Sequence, residues 1–311
     1  MTGTSLSRRA LRSSIASELG VLNDGLLHRA DLRARGVSRH DVRTEVLCGR
    51  WERKGRHTVR IGEGDLTGPA LLRWAVWESG SGAMLDGAAA LVAQGMTGLA
   101  LNGIDVSIPR NNRRWRLPGV RVRYRSVMPP ATEVGIRRVR VPQAAVNAAL
   151  WARSDREAAL ILCLALQQRL LRPEDLALAW RARRHGRHRP GLDRIVADLT
   201  DGARSLGELD FARRCRCYGL PAPTRQVVRP ASGGRVYLDA AWEDIGLVVE
   251  VDGGHHALAL HTVEDAFRQN EIALGSETVL RLPVLALRLH ERRFMEQVVR
   301  AYAVLCHQRS A

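Results

Sequence analysis

Gly246-Leu247-Val248-Val249-Glu250-Val251-Asp252 decides the fold of the C-terminal part of this 311-residue chain. Apart from its two carboxylates the run is apolar, the pattern of a central strand buried on both faces. Side chains alternate along a strand, so Glu250 and Asp252 leave one face about 7 Å apart, while Val249 and Val251 leave the other. Two like charges at the end of a buried strand are costly unless neutralised, and a divalent cation with hard oxygen ligands neutralises them directly. Asp239, in Val236-Tyr237-Leu238-Asp239, lies on the preceding strand as a natural hairpin neighbour, and Glu208 is a fourth acid in the first turn of the helix before it. Such a cluster can hold one or two magnesium ions that activate a water and stabilise charge developing on a phosphodiester.

Local roles compete for several of these residues. Ser205-Leu206-Gly207-Glu208 also fits a helix capping box. Asp239 also suits a strand end, and Asp252-Gly253-Gly254 is a good turn. Glu250 has no such local role, because a merely structural glutamate inside an apolar run is rare. His255 and His256 follow in a glycine-led loop, where one of them can act as general acid or base, or hold a metal-bound water. Asp265 and Arg268 share one face of a helix capped by Thr262. They form a surface ion pair, or Arg268 grips the scissile phosphate.

Around this core the pattern is helix 205–217, strands 226–229, 236–241 and 245–252, helix 262–274, strand 278–282 and helix 290–307, a compact α/β domain. Upstream, residues 23–62 predict two short helices and a β-hairpin. His28 to Leu32 lie on the first helix, Gly36-Val37-Ser38 forms the turn, and Ser38 caps the second helix. That helix, 39–48, buries Val42, Val46 and Leu47 and leaves Arg39, His40, Arg43 and Thr44 free to face a major groove. The hairpin from Trp51 to Arg60, with Arg53, Lys54 and Arg56, is suited to phosphate contacts or to a wing. Residues 65–150 predict a helix at 69–78, a small-residue segment at 80–98, and strands with turns at 109–112 and 118–119. Arg121, Arg123 and Arg125 alternate there as a solvated or backbone-contacting stripe. Residues 142–180 are helical, and 181–189 is an exposed basic linker. The expected division is a helix-turn-helix domain over 1–64, an accessory α+β domain over 65–190 and the α/β domain over 200–311, an α+β multidomain chain overall.

The formal charge is +16 with 48 basic side chains, which points toward polyanionic partners through counterion release, although a solvated arginine-rich surface is also a common result of such a composition and the charge is supportive only. Lys54 is the chain's one lysine, so any mechanism that needs a catalytic lysine outside the N-terminal region is excluded. Arg8, Arg9 and Arg12 precede no signal-like apolar stretch, and the longest apolar run, 158–166, is too short to span a bilayer, so a cytoplasmic protein without a membrane partner is expected. Five cysteines form no Cys-x-x-Cys pair and are expected to be reduced and mostly buried.

Taken in order, Ser205-x-x-Glu208, Leu238-Asp239, Val249-Glu250-Val251-Asp252-Gly253, His255 or His256, Asp265-x-x-Arg268 and Gly275 leading to Val279-Leu280-Arg281 resemble the endonuclease-like domains related to very-short-patch mismatch repair endonucleases, of the restriction-endonuclease-like superfamily. Gly36-Val37-Ser38-Arg39 and Gly49 to Arg53 resemble, more loosely, the winged-helix region of abortive-infection antitoxins of type IV toxin-antitoxin systems. The resemblance implies a metal-dependent nuclease acting on double-stranded DNA. Asp239, Glu250 and Asp252 would ligate Mg2+, with Mn2+ as a substitute, Glu208 would assist, and a histidine would move protons. A non-cleaving, antitoxin-like regulator is the alternative, with a cognate toxin or a homodimer as protein partner. The superfamily's usual Glu-x-Lys is Glu250-Val251-Asp252 here, so the lysine's role passes to a histidine, an arginine or a second metal, or catalysis is lost.

Overall fold

A computed structural model describes residues 8–112, 116–183, 190–200, 211–231, 235–252, 270, 279–283, 287 and 289–310; side chains are not described at 225–239, 252, 281, 283 and 310. Glu208, His255, His256, Asp265 and Arg268 lie outside the described residues. The described residues form eleven helices and three small sheets, a mixed α/β chain. It divides into two compact units, Met1–Gly95 with Leu99–Arg140, and Met96–Gly98 with Val141–Ala311.

The first unit begins with α1 (Arg8–Leu22), β1 (Leu26–His28), α2 (Arg29–Ala34), α3 (Arg39–Leu47), β2 (Trp51–Arg53) and β3 (Thr58–Ile61). The three strands form an antiparallel sheet in the order β1-β3-β2. Ser38 caps α3 as its sequence signature requires: its hydroxyl accepts from the Asp41 amide, and the Asp41 carboxylate accepts from the Ser38 amide. Ile15, Leu19, Leu27, Leu32, Val42, Trp51 and Val59 close the core beneath.

Two expectations are corrected here. His28 does not open the first helix; it ends β1 and caps α2, its Nδ1 accepting from the Ala30 amide at 3.3 Å. Leu47 is not on the buried side of α3 but is 76% exposed. At about 100° per residue it lies roughly 140° around the helix from Val42. The inner position belongs to Glu45, 4% exposed, which accepts from Arg12 of α1 at 2.9 Å and from Arg50 at 2.6 Å.

The unit continues with α4 (Gly68–Glu78), β4 (Met84–Leu85), α5 (Gly87–Ala93), β5 (Ile104–Pro109), β6 (Val120–Arg125), β7 (Ala131–Thr132) and β8 (Arg138–Val139). Their sheet runs β6-β5-β4-β8-β7, with β5 parallel to β6 and β4 parallel to β8. The arginine stripe of β6 is largely compensated from its neighbours. Arg121 and Arg123 bond the buried Asp105 at 2.7 and 2.9 Å, while Arg125 reaches Asp86 at 3.1 Å.

The second unit carries α6 (Val141–Trp151), α7 (Asp155–Gln167), α8 (Pro173–Ala182) and α9 (Pro190–Thr200). The expected linker is helical at its start, and Arg183 is anchored there by Asp193 at 2.6 Å with its guanidinium over the Trp180 ring. After α10 (Phe211–Cys217) come β9 (Arg225–Ala231), β10 (Arg235–Trp242), β11 (Leu247–Asp252), β12 (Val279–Pro283) and α11 (Glu291–Ser310). The sheet order is β12-β11-β10-β9, with β11 parallel to β12 and the other pairs antiparallel. Trp242, Leu247, Val249 and Val251 pack with Phe211 of α10 and Phe294 and Val298 of α11.

Only Cys163 and Cys215 are buried; Cys48 and Cys217 are exposed, and none of the five forms a disulfide. Burial pushes the Cys163 and Cys215 thiols up to about 12, which leaves them protonated and inert at neutral pH. No helix among the described residues is long and apolar enough to cross a membrane.

Candidate functional site

Two groups of residues singled out by the sequence have describable geometry, one in each unit. In the second unit, Asp239 of β10 stands directly opposite Glu250 of β11 in the antiparallel register. Positions opposite one another share a side of the pleat, and position 252, two residues on, shares it too. Val249 and Val251 occupy the other side and are fully buried in the core, while Glu250 is half-buried. The parallel partner of Glu250 on β12 is Arg281. One row of the sheet therefore carries an acid, an acid and an arginine at adjacent register positions, a combination that strand spacing alone did not reveal.

Carboxylate oxygens are the hard donors magnesium takes, so positions 239, 250 and 252 fit that ion by chemistry and by face. No group of three or more metal-ligating side chains is found among the described residues. Of the expected ligands, Glu250 alone has a described side chain; Asp239 and Asp252 are described by their backbone only.

In the first unit, α3 turns His40, Arg43 and Leu47 outward, and Arg39 is exposed at its first position. Thr44 is half-buried, with its hydroxyl donating to the His40 carbonyl at 3.0 Å. Arg53 and Arg56 of the hairpin are exposed, but Lys54 is not: its ammonium pairs with Glu52 and its side chain is 14% accessible. Beside α3 lies an open hollow of about 330 Å3 ringed by Arg29, Arg39, Arg43 and Arg53. Its apolar lining is Val42, Val46, Leu47 and Val59. Arg29 was missed by reasoning from the helix alone, because it sits at the start of α2 and reaches this surface only in the folded unit.

The hairpin that presents Arg53 and Arg56 is fixed from outside the first 64 residues. Glu78, at the end of α4, accepts from the Arg56 and His57 amides at 2.7 and 2.8 Å and from the Thr58 hydroxyl at 2.8 Å. Trp74 Nε1 donates to the Lys54 carbonyl at 2.9 Å. A Cβ at Gly55 would overlap the Glu78 carboxyl, so the turn is glycine for want of space.

No family model matches the chain, and no curated protein matches it. Among solved structures, the RV2827C protein from Mycobacterium tuberculosis is similar at 18% identity and a TM-score of 0.38, over 66% of this chain and 82% of that one. A likeness at that level decides neither fold nor function.

Proposed function

We propose that the chain is a metal-dependent DNA endonuclease or nickase, whose helix-turn-helix and hairpin act as a winged helix and whose C-terminal part is a restriction-endonuclease-like domain. The observation that carries this reading is the pairing of Asp239 with Glu250 in register, with position 252 on the same side of the pleat. Three carboxylates at those positions repel one another, and Arg281 at the neighbouring register position brings one positive charge against three negative ones, which leaves a place for a divalent cation. Magnesium there would activate a water and stabilise charge on a phosphodiester. On the DNA side, Arg39, His40, Arg43 and Arg53 form an exposed face on and beside α3, suited to groove and phosphate contacts.

The second reading, a regulator of antitoxin type that binds DNA without cutting it, draws on the single lysine. Lys54 lies in the first unit and pairs with Glu52, so no lysine stands on the strands of the carboxylate row or in the sequence around them. Incubation of supercoiled and mismatched DNA with the purified chain and Mg2+ or Mn2+ separates the two. The nuclease reading expects nicked or linear product from wild type and none from Glu250→Gln. Equal product from both overturns the assignment of cutting to this row, and no product on any DNA substrate with duplex binding intact leaves the regulator.

A further inference from the structure

The hollow beside α3 has a composition that major-groove docking does not call for. Four arginines from three elements, α2, α3 and β2, line it, and no acidic side chain does. Two of the four are pre-positioned by backbone: Arg29 Nη1 donates to the Arg56 carbonyl at 3.3 Å, and Arg53 Nε donates to the Gly55 carbonyl at 3.1 Å. Such a lining has an electrostatic cost. The Arg29 guanidinium is held below its ordinary value first by burial, then by the like charges of Arg53, Arg39 and Arg33. An anion in the hollow relieves that repulsion, and arginine forks match the geometry of phosphate oxygens.

The rest of the lining narrows the anion's class. Val42 and Val46 form an apolar floor, which a bare inorganic anion does not use. At about 330 Å3 the hollow falls at the lower end of the size range of small-molecule sites, larger than a phosphate needs. Guanidinium planes also stack on nucleobases.

We propose that this hollow is a seat for one nucleotide, its phosphate held by Arg29 and Arg53 and its sugar or base laid against Val42 and Val46. The inference rests on reading this face as a nucleic-acid interface and adds to it a discrete, saturable site for a single nucleotide unit. That unit comes either from a DNA strand end or from a free nucleotide, and the two sources share the same contacts.

Calorimetric titration of the full chain with thymidine monophosphate, thymidine and orthophosphate tests it. The monophosphate is expected to bind at least about tenfold tighter than either fragment, since only it uses both the arginines and the floor. Arg29→Gln combined with Arg53→Gln is expected to remove that advantage; if this variant melts early, Arg39→Gln with Arg43→Gln, both on exposed side chains, serves in its place. A 5′-phosphorylated oligothymidylate that displaces the monophosphate assigns the seat to a strand end, and failure to displace assigns it to a free nucleotide. Monophosphate binding no tighter than orthophosphate, or unchanged in both variants, overturns the seat. Duplex affinity, measured in parallel with Arg56→Gln outside the hollow, reports on the broader interface: a seat lost with duplex binding retained refutes only the seat.

Discussion

At the scale of single residues, two buried glutamates tie the elements of the N-terminal unit together. Glu78 satisfies two backbone amides and a hydroxyl at the hairpin turn, so Glu78→Ala leaves three donors without their acceptor. A loss of about 2–4 kcal/mol is expected, with hydrogen exchange at the Arg56 and His57 amides rising toward unprotected rates. Unchanged protection would show that the turn is held some other way. Glu45 sits between Arg50 and Arg12, and the Arg50 hydrogen bond first, with Arg12, holds its carboxyl below the ordinary 4.5 despite burial. A carboxylate depressed in the folded state stabilises fully above its unfolded pKa and loses that contribution as pH falls through the folded one. The melting difference between wild type and Glu45→Gln should therefore be largest near neutral pH and shrink steadily below 4.5. A difference independent of pH would contradict the ion-pair assignment. Neither glutamate was legible as structural in the sequence, because the partners of Glu45 lie 33 residues before and 5 after it and those of Glu78 about twenty residues before it.

At the scale of elements, legibility followed period and length. The apolar run of β11 identified itself, and the Ser38 cap fixed the start of α3 to the residue. By contrast β1 has three residues, too few to display alternation, and α5 is a glycine- and alanine-rich stretch without a polar face to set a period. Its start is fixed by the buried Asp86, whose carboxylate accepts from the Gly87 amide while also taking Arg125. That network also explains why the arginines of β6 read as a basic stripe: their counter-charges lie on β5 and before α5, at distances no local pattern reveals. Two element-scale outcomes follow. Ser38→Ala should cost about 1 kcal/mol through loss of the α3 cap, read as a lower denaturation midpoint with unchanged slope. Phe294→Ala, which empties a fully buried position against the β10–β11 face, should cost about 3–5 kcal/mol. A cost below 1 kcal/mol would mean that α11 does not pack on this sheet as described.

For the whole molecule, the carboxylate row was legible as a strand pattern with Asp239 as its hairpin neighbour, but the register and the place of Arg281 were not. Alternation put Glu250 and Asp252 on one face, whereas the register that sets Asp239 and Arg281 on either side of Glu250 required the sheet. His255, His256 and Arg268 lie outside the described residues. The N-terminal unit likewise exceeds its sequence signature. Trp74 and Glu78 hold the hairpin from beyond residue 64, and Arg73 pairs with Asp24 at 3.1 Å. A fragment ending at 64 should melt without cooperativity, and one ending at 140 should melt as a cooperative unit; equal melts would show that α4 is dispensable.

The central claim is that the row at 239, 250 and 252 binds a divalent cation, and calorimetric titration of Mn2+ into the metal-free chain tests it most directly. Wild type is expected to show saturable binding that weakens at least about tenfold in Asp239→Asn with Glu250→Gln, the lower end of what losing even an outer-shell partner costs. Identical titrations of the two proteins, each with an unchanged melting profile, would contradict it.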